Sequence, residues 1–184
     1  KELLGSSLSK ISNVSISPKS YNNKYGVPLS LFNLSQQDQY GVLELGMDKK
    51  GEIDYLSKIV QPDVSVITNI NYAHIKNFKN LKQIALAKSE IIDNTKENGY
   101  IILNADDIFF TLHKRLAVKR NLKILSFGIK SKNSNIKFIN IQKRGKKFKL
   151  IIKINNLKNY FFTSNDFESN ILNILAALAV MSIF

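Results

Sequence analysis

Val64-Ser65-Val66-Ile67-Thr68-Asn69-Ile70, Leu81-Lys82-Gln83-Ile84-Ala85-Leu86-Ala87-Lys88-Ser89-Glu90-Ile91-Ile92 and Tyr100-Ile101-Ile102-Leu103-Asn104-Ala105-Asp106-Asp107 decide the fold. The first and third stretches are short, mostly apolar runs closed by polar residues, as expected of strands buried on both faces. The middle stretch places Leu81, Ile84, Ile91 and Ile92 at helical spacing along one side. Strand, helix and strand in this order make a βαβ unit, so the fold class is α/β, with a mainly parallel sheet flanked by helices.

Working outward, the same alternation covers the chain up to about Phe127. Strands are expected at Asn13–Ser17, Tyr40–Leu45 and Lys123–Phe127. Helices are expected at Pro28–Leu34, Glu52–Val60 and from about Asp107 to Arg120. After Gly128 the pattern changes to three strands of an antiparallel meander, Ile136–Ile141, Phe148–Ile154 and Tyr160–Thr163. In the middle one, Phe148, Leu150, Ile152 and Ile154 alternate with Lys149, Ile151 and Lys153. A helix from about Ser169 is apolar on nearly every side, and its cover is either the core or a further domain. The chain therefore reads as one domain over 1–184: a parallel part (1–128), antiparallel strands (135–163) and a closing helix (169–184). It opens on Lys1 inside a helical pattern and closes on Phe184 inside another. Both ends read as cut, and a longer protein with a following domain is expected.

With 184 residues and 44% hydrophobic content, the chain can bury a proper core. It has no cysteine, which excludes a disulfide framework, a thiol nucleophile and thiolate metal sites. No apolar run reaches the ~18 residues of a membrane span, and no secretory leader is visible, so a cytoplasmic protein without a membrane partner is expected. The net charge of +13 invites a polyanionic partner. However, only three of the 27 basic residues are arginine, and lysine is spread along the whole chain together with much asparagine and isoleucine. AT-rich coding explains this better than nucleic-acid recognition does. The dense cluster Lys143-Arg144-Gly145-Lys146 reads as a solvated hairpin tip, because no ring is interleaved in it.

Ligands of open α/β sheets bind beyond the carboxyl ends of the strands. There the sequence delivers Glu44 and Gly46 from the Tyr40 strand, Thr68, Asn69 and then His74 from the Val64 strand, and Asn104, Asp106 and Asp107 from the Tyr100 strand. Asp106 or Asp107 can equally cap the next helix, and His74 can be an ordinary loop residue. Glu44, placed within an apolar strand, needs a compensating partner such as a metal. Lys88 lies in the apolar stripe of its helix. Either it snorkels to the edge, or its amine is turned inward, where desolvation favours the neutral, nucleophilic form.

Several motifs follow one another in an order that resembles the Mur ligase family. They are Ser20-Tyr21-Asn22-Asn23-Lys24-Tyr25-Gly26-Val27-Pro28, Leu43-Glu44-Leu45-Gly46-Met47, Gly51-Glu52-Ile53, Pro62-Asp63, Ile67-Thr68-Asn69-Ile70, Ala73-His74, Ala87-Lys88-Ser89-Glu90-Ile91 and Leu103-Asn104-Ala105-Asp106-Asp107. The resemblance runs from Lys1 to about Phe184 and is to the central, ATP-binding domain. The paired Asn22-Asn23 before Gly-x-Pro is most similar to the member that adds D-alanyl-D-alanine to a UDP-linked muramoyl tripeptide.

The resemblance implies that ATP phosphorylates the peptide carboxylate and that the amine of D-alanyl-D-alanine attacks the acyl phosphate, in a cytoplasmic step of peptidoglycan synthesis. It assigns Mg2+ to Glu44, a second Mg2+ to His74, carbamylation and an anionic metal-site role to Lys88, the adenine to Asn104, and the UDP-peptide to Asn22 and Asn23. It calls for a monomer with no nucleic-acid partner. There are departures. The family's Gly-Lys-Thr/Ser phosphate loop would precede Lys1, so this segment alone is expected not to turn over ATP. Ser169 stands where the family has His before Asn170, and the ribose contact has no assigned residue. Alternatives are another Mur ligase, a folylpolyglutamate synthase-like ligase or, in a different class, a basic nucleic-acid-binding module.

Overall fold

A computed structural model describes residues 1–71 and 77–184. The element order is α1 (Glu2–Leu8), β1 (Val14–Ile16), α2 (Gly26–Phe32), β2 (Tyr40–Val42), α3 (Glu52–Val60), β3 (Val64–Ile67), α4 (Leu81–Asn94), β4 (Tyr100–Asn104), α5 (Phe110–Lys119), β5 (Lys123–Gly128), β6 (Ile136–Arg144), β7 (Lys147–Ile154), β8 (Leu157–Thr163) and α6 (Glu168–Met181). One sheet has the order β3-β4-β5-β6-β7-β8. It is parallel from β3 to β6 and antiparallel from β6 to β8. β1 and β2 pair in parallel as a separate two-stranded sheet.

The apolar run of β4 is explained by what covers it. Ile101 and Leu103 point to a core shared with α3, α4 and α5, whereas Ile102 points to a core shared with α6. All three are at most 1% exposed. A strand covered on both faces has no solvent side to be polar on. In α4, Ile84, Ala85, Ala87, Ser89 and Ile92 are buried, and Asn80 caps the helix by accepting from the Gln83 amide at 3.0 Å. α6 buries Ile171, Leu175, Ala176, Ala177, Ala179 and Val180. It packs across β4, β5 and β6 and against α1, so most of its apolar surface is covered within this chain.

The meander is longer than the alternation predicted, because β6 continues past a bulge at Phe138–Asn140 to Arg144. Its turns are short. Asn155 and Asn156 both take positive φ (46° and 73°), the backbone a two-residue hairpin loop requires and asparagine tolerates. The Tyr40 strand is shorter than predicted and ends at Val42. Glu44 therefore lies two residues beyond the ladder and is exposed. Its carboxylate reaches water, and a partner is not forced on it by burial.

Candidate functional site

Between the two sheets lies a cavity of about 1050 Å³, walled on one side by the β2 strand and its continuation to Met47 and on the other by β3. Its polar lining includes Asn22, Glu44, Thr68, Lys88, Asn170 and Asn173. Thus Asn22, Glu44 and Lys88, which lie far apart in sequence, face one space. Asn23 and Asn104 are not among its walls, and His74 lies outside the described residues.

The segment after β2 is held closely. Ser17 Oγ accepts from the Glu44 amide at 3.3 Å. Asn22 Nδ2 donates to Glu44 Oε1 at 3.1 Å, and the Gly46 amide donates to the Asn22 carbonyl at 2.7 Å. A Cβ on Gly46 would sit 2.8 Å from Asn22 Cγ, so any larger residue here would have to push the Asn22 carboxamide out of its present position. Asn23 does a different job. Its Oδ1 accepts from the amides of Tyr25 and Gly26 at 3.0 and 2.9 Å and thereby starts α2. Beyond Met47, Glu52 Oε2 accepts from the amides of Asp48 and Lys49. The Asp48 bond, aided by that from Lys49 and the nearby lysine charges, holds the Glu52 carboxyl below its ordinary range. Glu90, from α4, accepts from the amides of Gly51 and Asp54 and caps α3 across the helix pair.

Lys88 is half-buried, and its Nζ donates to the Asn69 carbonyl at 2.9 Å. Burial pulls its ammonium below the ordinary lysine value, and the Asp107 carboxylate opposes part of that fall. The amine is turned into the protein and does not snorkel away. Nearby, the buried His113 meets the Ala85 carbonyl through Nε2 at 3.1 Å, and burial pushes its pKa down.

The two acids after β4 reach in opposite directions. Asp107 Oδ2 accepts from the Ile70 amide at 2.8 Å, and its Oδ1 accepts from the Phe109 amide at 2.8 Å. It therefore opens α5 as a cap would, and it also holds the loop after β3. Asp106 accepts from the amides of Ile129, Lys130 and Ser131 at 2.6, 3.0 and 2.7 Å, which ties down the loop after β5. Asn104 is buried, and its Oδ1 accepts from the Asp106 amide at 2.9 Å. The sequence marks these acids as candidates but cannot show that each spans to a neighbouring loop. Asn170 and Asn173 were equally legible only as polar breaks, three residues apart, on an apolar helix. Asn170 Nδ2 donates to Thr163 Oγ1 at 2.8 Å.

The donor set suits a sparsely held Mg2+. Among the described residues no three acids or imidazoles cluster. Glu44 offers carboxylate oxygens toward the cavity, and Asn22 orients them. Magnesium takes few protein oxygens and keeps its waters.

The Mur ligase middle domain model matches residues 1–181. The UDP-N-acetylmuramoyl-tripeptide–D-alanyl-D-alanine ligase of Buchnera aphidicola from Acyrthosiphon pisum is 43% identical over 143 residues, 74% of this chain and 31% of that protein. The crystal structure of MurF from Acinetobacter baumannii is similar with a TM-score of 0.91 and 33% identity, over 99% of this chain and 39% of that one. MurF from Thermotoga maritima in complex with ADP has a TM-score of 0.85 and 28% identity, over 100% of this chain and 42% of that one. The chain thus spans about a third of the length of the curated relative it matches. On its motifs, its fold and these similarities, the chain belongs to the Mur ligase middle-domain family.

Proposed function

We propose that this chain is the nucleotide-binding part of an ATP-dependent ligase of peptidoglycan precursor synthesis, acting in the cytoplasm to join D-alanyl-D-alanine to a UDP-N-acetylmuramoyl-tripeptide. The observation that carries this is the meeting of Asn22, Glu44 and Lys88 in one cavity at the ends of β2 and β3. The similarity to ligases that carry that name, at up to 43% identity, supports it.

In such a reaction the terminal phosphoryl group of ATP goes to the peptide carboxylate, and the amine of the dipeptide displaces phosphate from the acyl phosphate. Two anions must approach, so positioning and charge compensation dominate catalysis. Mg2+, when bound, supplies that compensation. Glu44 would hold it, with Asn22 keeping the Glu44 carboxylate in place. Lys88 is suited to carbamylation: its neutral Nζ adds to the carbon of CO2 and releases one proton. The product is an anion, which removes the cost of a half-buried cation and adds an oxygen donor to the metal side of the cavity. On the family resemblance Asn104 is assigned the adenine, from the end of β4, and Asn22 and Asn23 the UDP-peptide, Asn22 from the cavity wall and Asn23 from the start of α2 outside it. His74 is assigned a second Mg2+ on the family resemblance. The chemistry requires neither nucleic acid nor membrane, and one copy is sufficient.

The test is phosphate release by the full-length protein. It should require ATP, Mg2+, the UDP-tripeptide and D-alanyl-D-alanine together. Lys88→Arg, which keeps the cation but cannot be carbamylated, should lower kcat at least about a hundredfold, the scale seen when a charge-stabilising group is lost. Release that ignores the dipeptide, or full activity in Lys88→Arg, would remove the basis of the proposal.

A further inference from the structure

The register of the meander sorts its side chains into two faces. Leu150 and Ile152 point to the core and are 0% exposed. On the other face Arg144 pairs with Lys147, Gln142 with Lys149, and Lys137 with Lys153. Across the next ladder Lys149 pairs with Phe162, Ile151 with Tyr160, and Lys153 with Lys158. The outward face therefore carries Lys137, Arg144, Lys147, Lys149, Lys153 and Lys158. No acid stands on these three strands, because the sequence has no Asp or Glu from Ile108 to Asn165.

Beside these cations stand two rings. Tyr160 is 56% exposed and Phe162 is 63% exposed. They lie two residues apart on edge strand β8, so both project from the same face, roughly 7 Å apart. The Lys149 ammonium sits 3.9 Å from the Tyr160 ring centroid. Rings run along β8, where Lys158 also lies, and the other cations run along β7 and β6, one and two strand spacings of about 4.8 Å away. The cluster at the hairpin tip around Arg144, which has no ring within its own sequence, thus gains an aromatic platform from the strand two places over.

We propose that this face binds single-stranded nucleic acid, with bases stacked on Tyr160 and Phe162 and phosphates on the lysine column. Stacking needs an exposed ring on a rigid support, next to cations that can follow a backbone, and the sheet supplies these in Tyr160, Phe162 and the lysines beside them. A bilayer would need apolar groups standing beyond the cations. Here the rings run along one edge of the face, and Tyr160 already carries an ammonium against its ring, so the layout favours a polymer with alternating rings and charges. The surface is separate from the ligase cavity, and its function does not depend on the ligase assignment.

The experiment is fluorescence anisotropy of a labelled 15-nucleotide (dT) or (rU) strand with the intact protein between 50 and 300 mM salt. Six phosphate contacts predict a slope of log K against log salt of about −4. Tyr160→Ala and Phe162→Ala should each weaken binding about five- to a hundredfold, leaving the melting temperature and ligase turnover unchanged. Lys149→Gln with Lys153→Gln should weaken it further. Lys114→Gln with Lys119→Gln, the same charge change on α5, should not. A duplex of equal length should bind more weakly, because its bases cannot reach the rings. The proposal is overturned if the alanine variants bind as well as the parent, if the α5 pair matters equally, or if the duplex binds as tightly. It is also overturned if the protein binds phosphatidylglycerol vesicles and neither strand.

Discussion

Gly46→Ala offers a sharp test of the site. An ideal Cβ at this position would lie 2.8, 2.9 and 3.0 Å from Cγ, Nδ2 and Oδ1 of Asn22. All three atoms belong to the carboxamide, so the cheapest escape is to rotate that group. The rotation breaks the 3.1 Å bond from Nδ2 to Glu44 Oε1. The Asn22 backbone cannot follow easily, because its carbonyl accepts from the Gly46 amide at 2.7 Å. Overpacking of this kind costs about 1–3 kcal/mol, which lowers Tm by roughly 2–10 °C in a chain of this size. Loss of the group that orients a metal-binding carboxylate costs about 10–100-fold in metal affinity. Asn22→Ala deletes all three clashing atoms and loses one partly exposed hydrogen bond, so it should cost about 1 kcal/mol or less. The Gly46→Ala/Asn22→Ala double variant should then be no less stable than Asn22→Ala alone, within about 0.5 kcal/mol. Urea denaturation gives the stabilities, and Mg2+ titration of ATP turnover in the full-length protein gives the affinity. Simple additivity of the two substitutions, or an unchanged Mg2+ response in both singles, would refute the steric account.

Further outcomes follow from other positions. His113 is buried with its pKa pushed below the ordinary 6.5. The unfolded chain therefore takes up the proton first, so stability is full above about pH 6.5 and falls as pH drops below it. Urea midpoints between pH 7.5 and 5 should decline in the parent and flatten in His113→Leu. Asp106→Ala removes the acceptor for three loop amides. Hydrogen exchange at Ile129–Ser131 should accelerate at least tenfold, whereas exchange in β4 should not change. Leu150→Ala empties a fully buried site on the α6 side of the sheet and should cost about 2.5–5 kcal/mol by denaturation.

The parallel part of the fold was legible because its signals are local. An apolar run such as Tyr100–Leu103, bounded by polar residues and followed by a helical pattern, reads as a strand covered on both faces. Glu52–Val60 was placed to the residue. The strand after Tyr40 was overextended because Leu43 and Leu45 continue its apolar alternation, whereas tertiary packing, through Asn22 and Ser17, takes the chain out of the ladder at Val42. Sequence also could not show that β1 and β2 form their own sheet, since pairing partners are set by contacts between distant segments. At the site, the stripe singled out Lys88 but left its direction open, and the bond from its Nζ to the Asn69 carbonyl turns it inward. The bonds from Asp107 to Ile70 and from Asp106 to Ile129 were not legible, because each joins residues more than twenty positions apart. The aromatic column beside the lysines was hidden for the same reason: Lys149 and Phe162 become neighbours only through the ladder.

The paired carboxylates after β4 have a mechanical consequence. Because Asp106 and Asp107 share a peptide unit, the loop after β3 and the loop after β5 are yoked to a single hinge point. That point is mounted on a strand whose Ile101, Ile102 and Leu103 are almost wholly buried, so it yields little. Ile70 on one flank and Ile129 to Ser131 on the other are therefore held at a fixed separation by two consecutive residues. The edge of the sheet is in this way braced from within, and its spacing does not depend on any neighbouring domain.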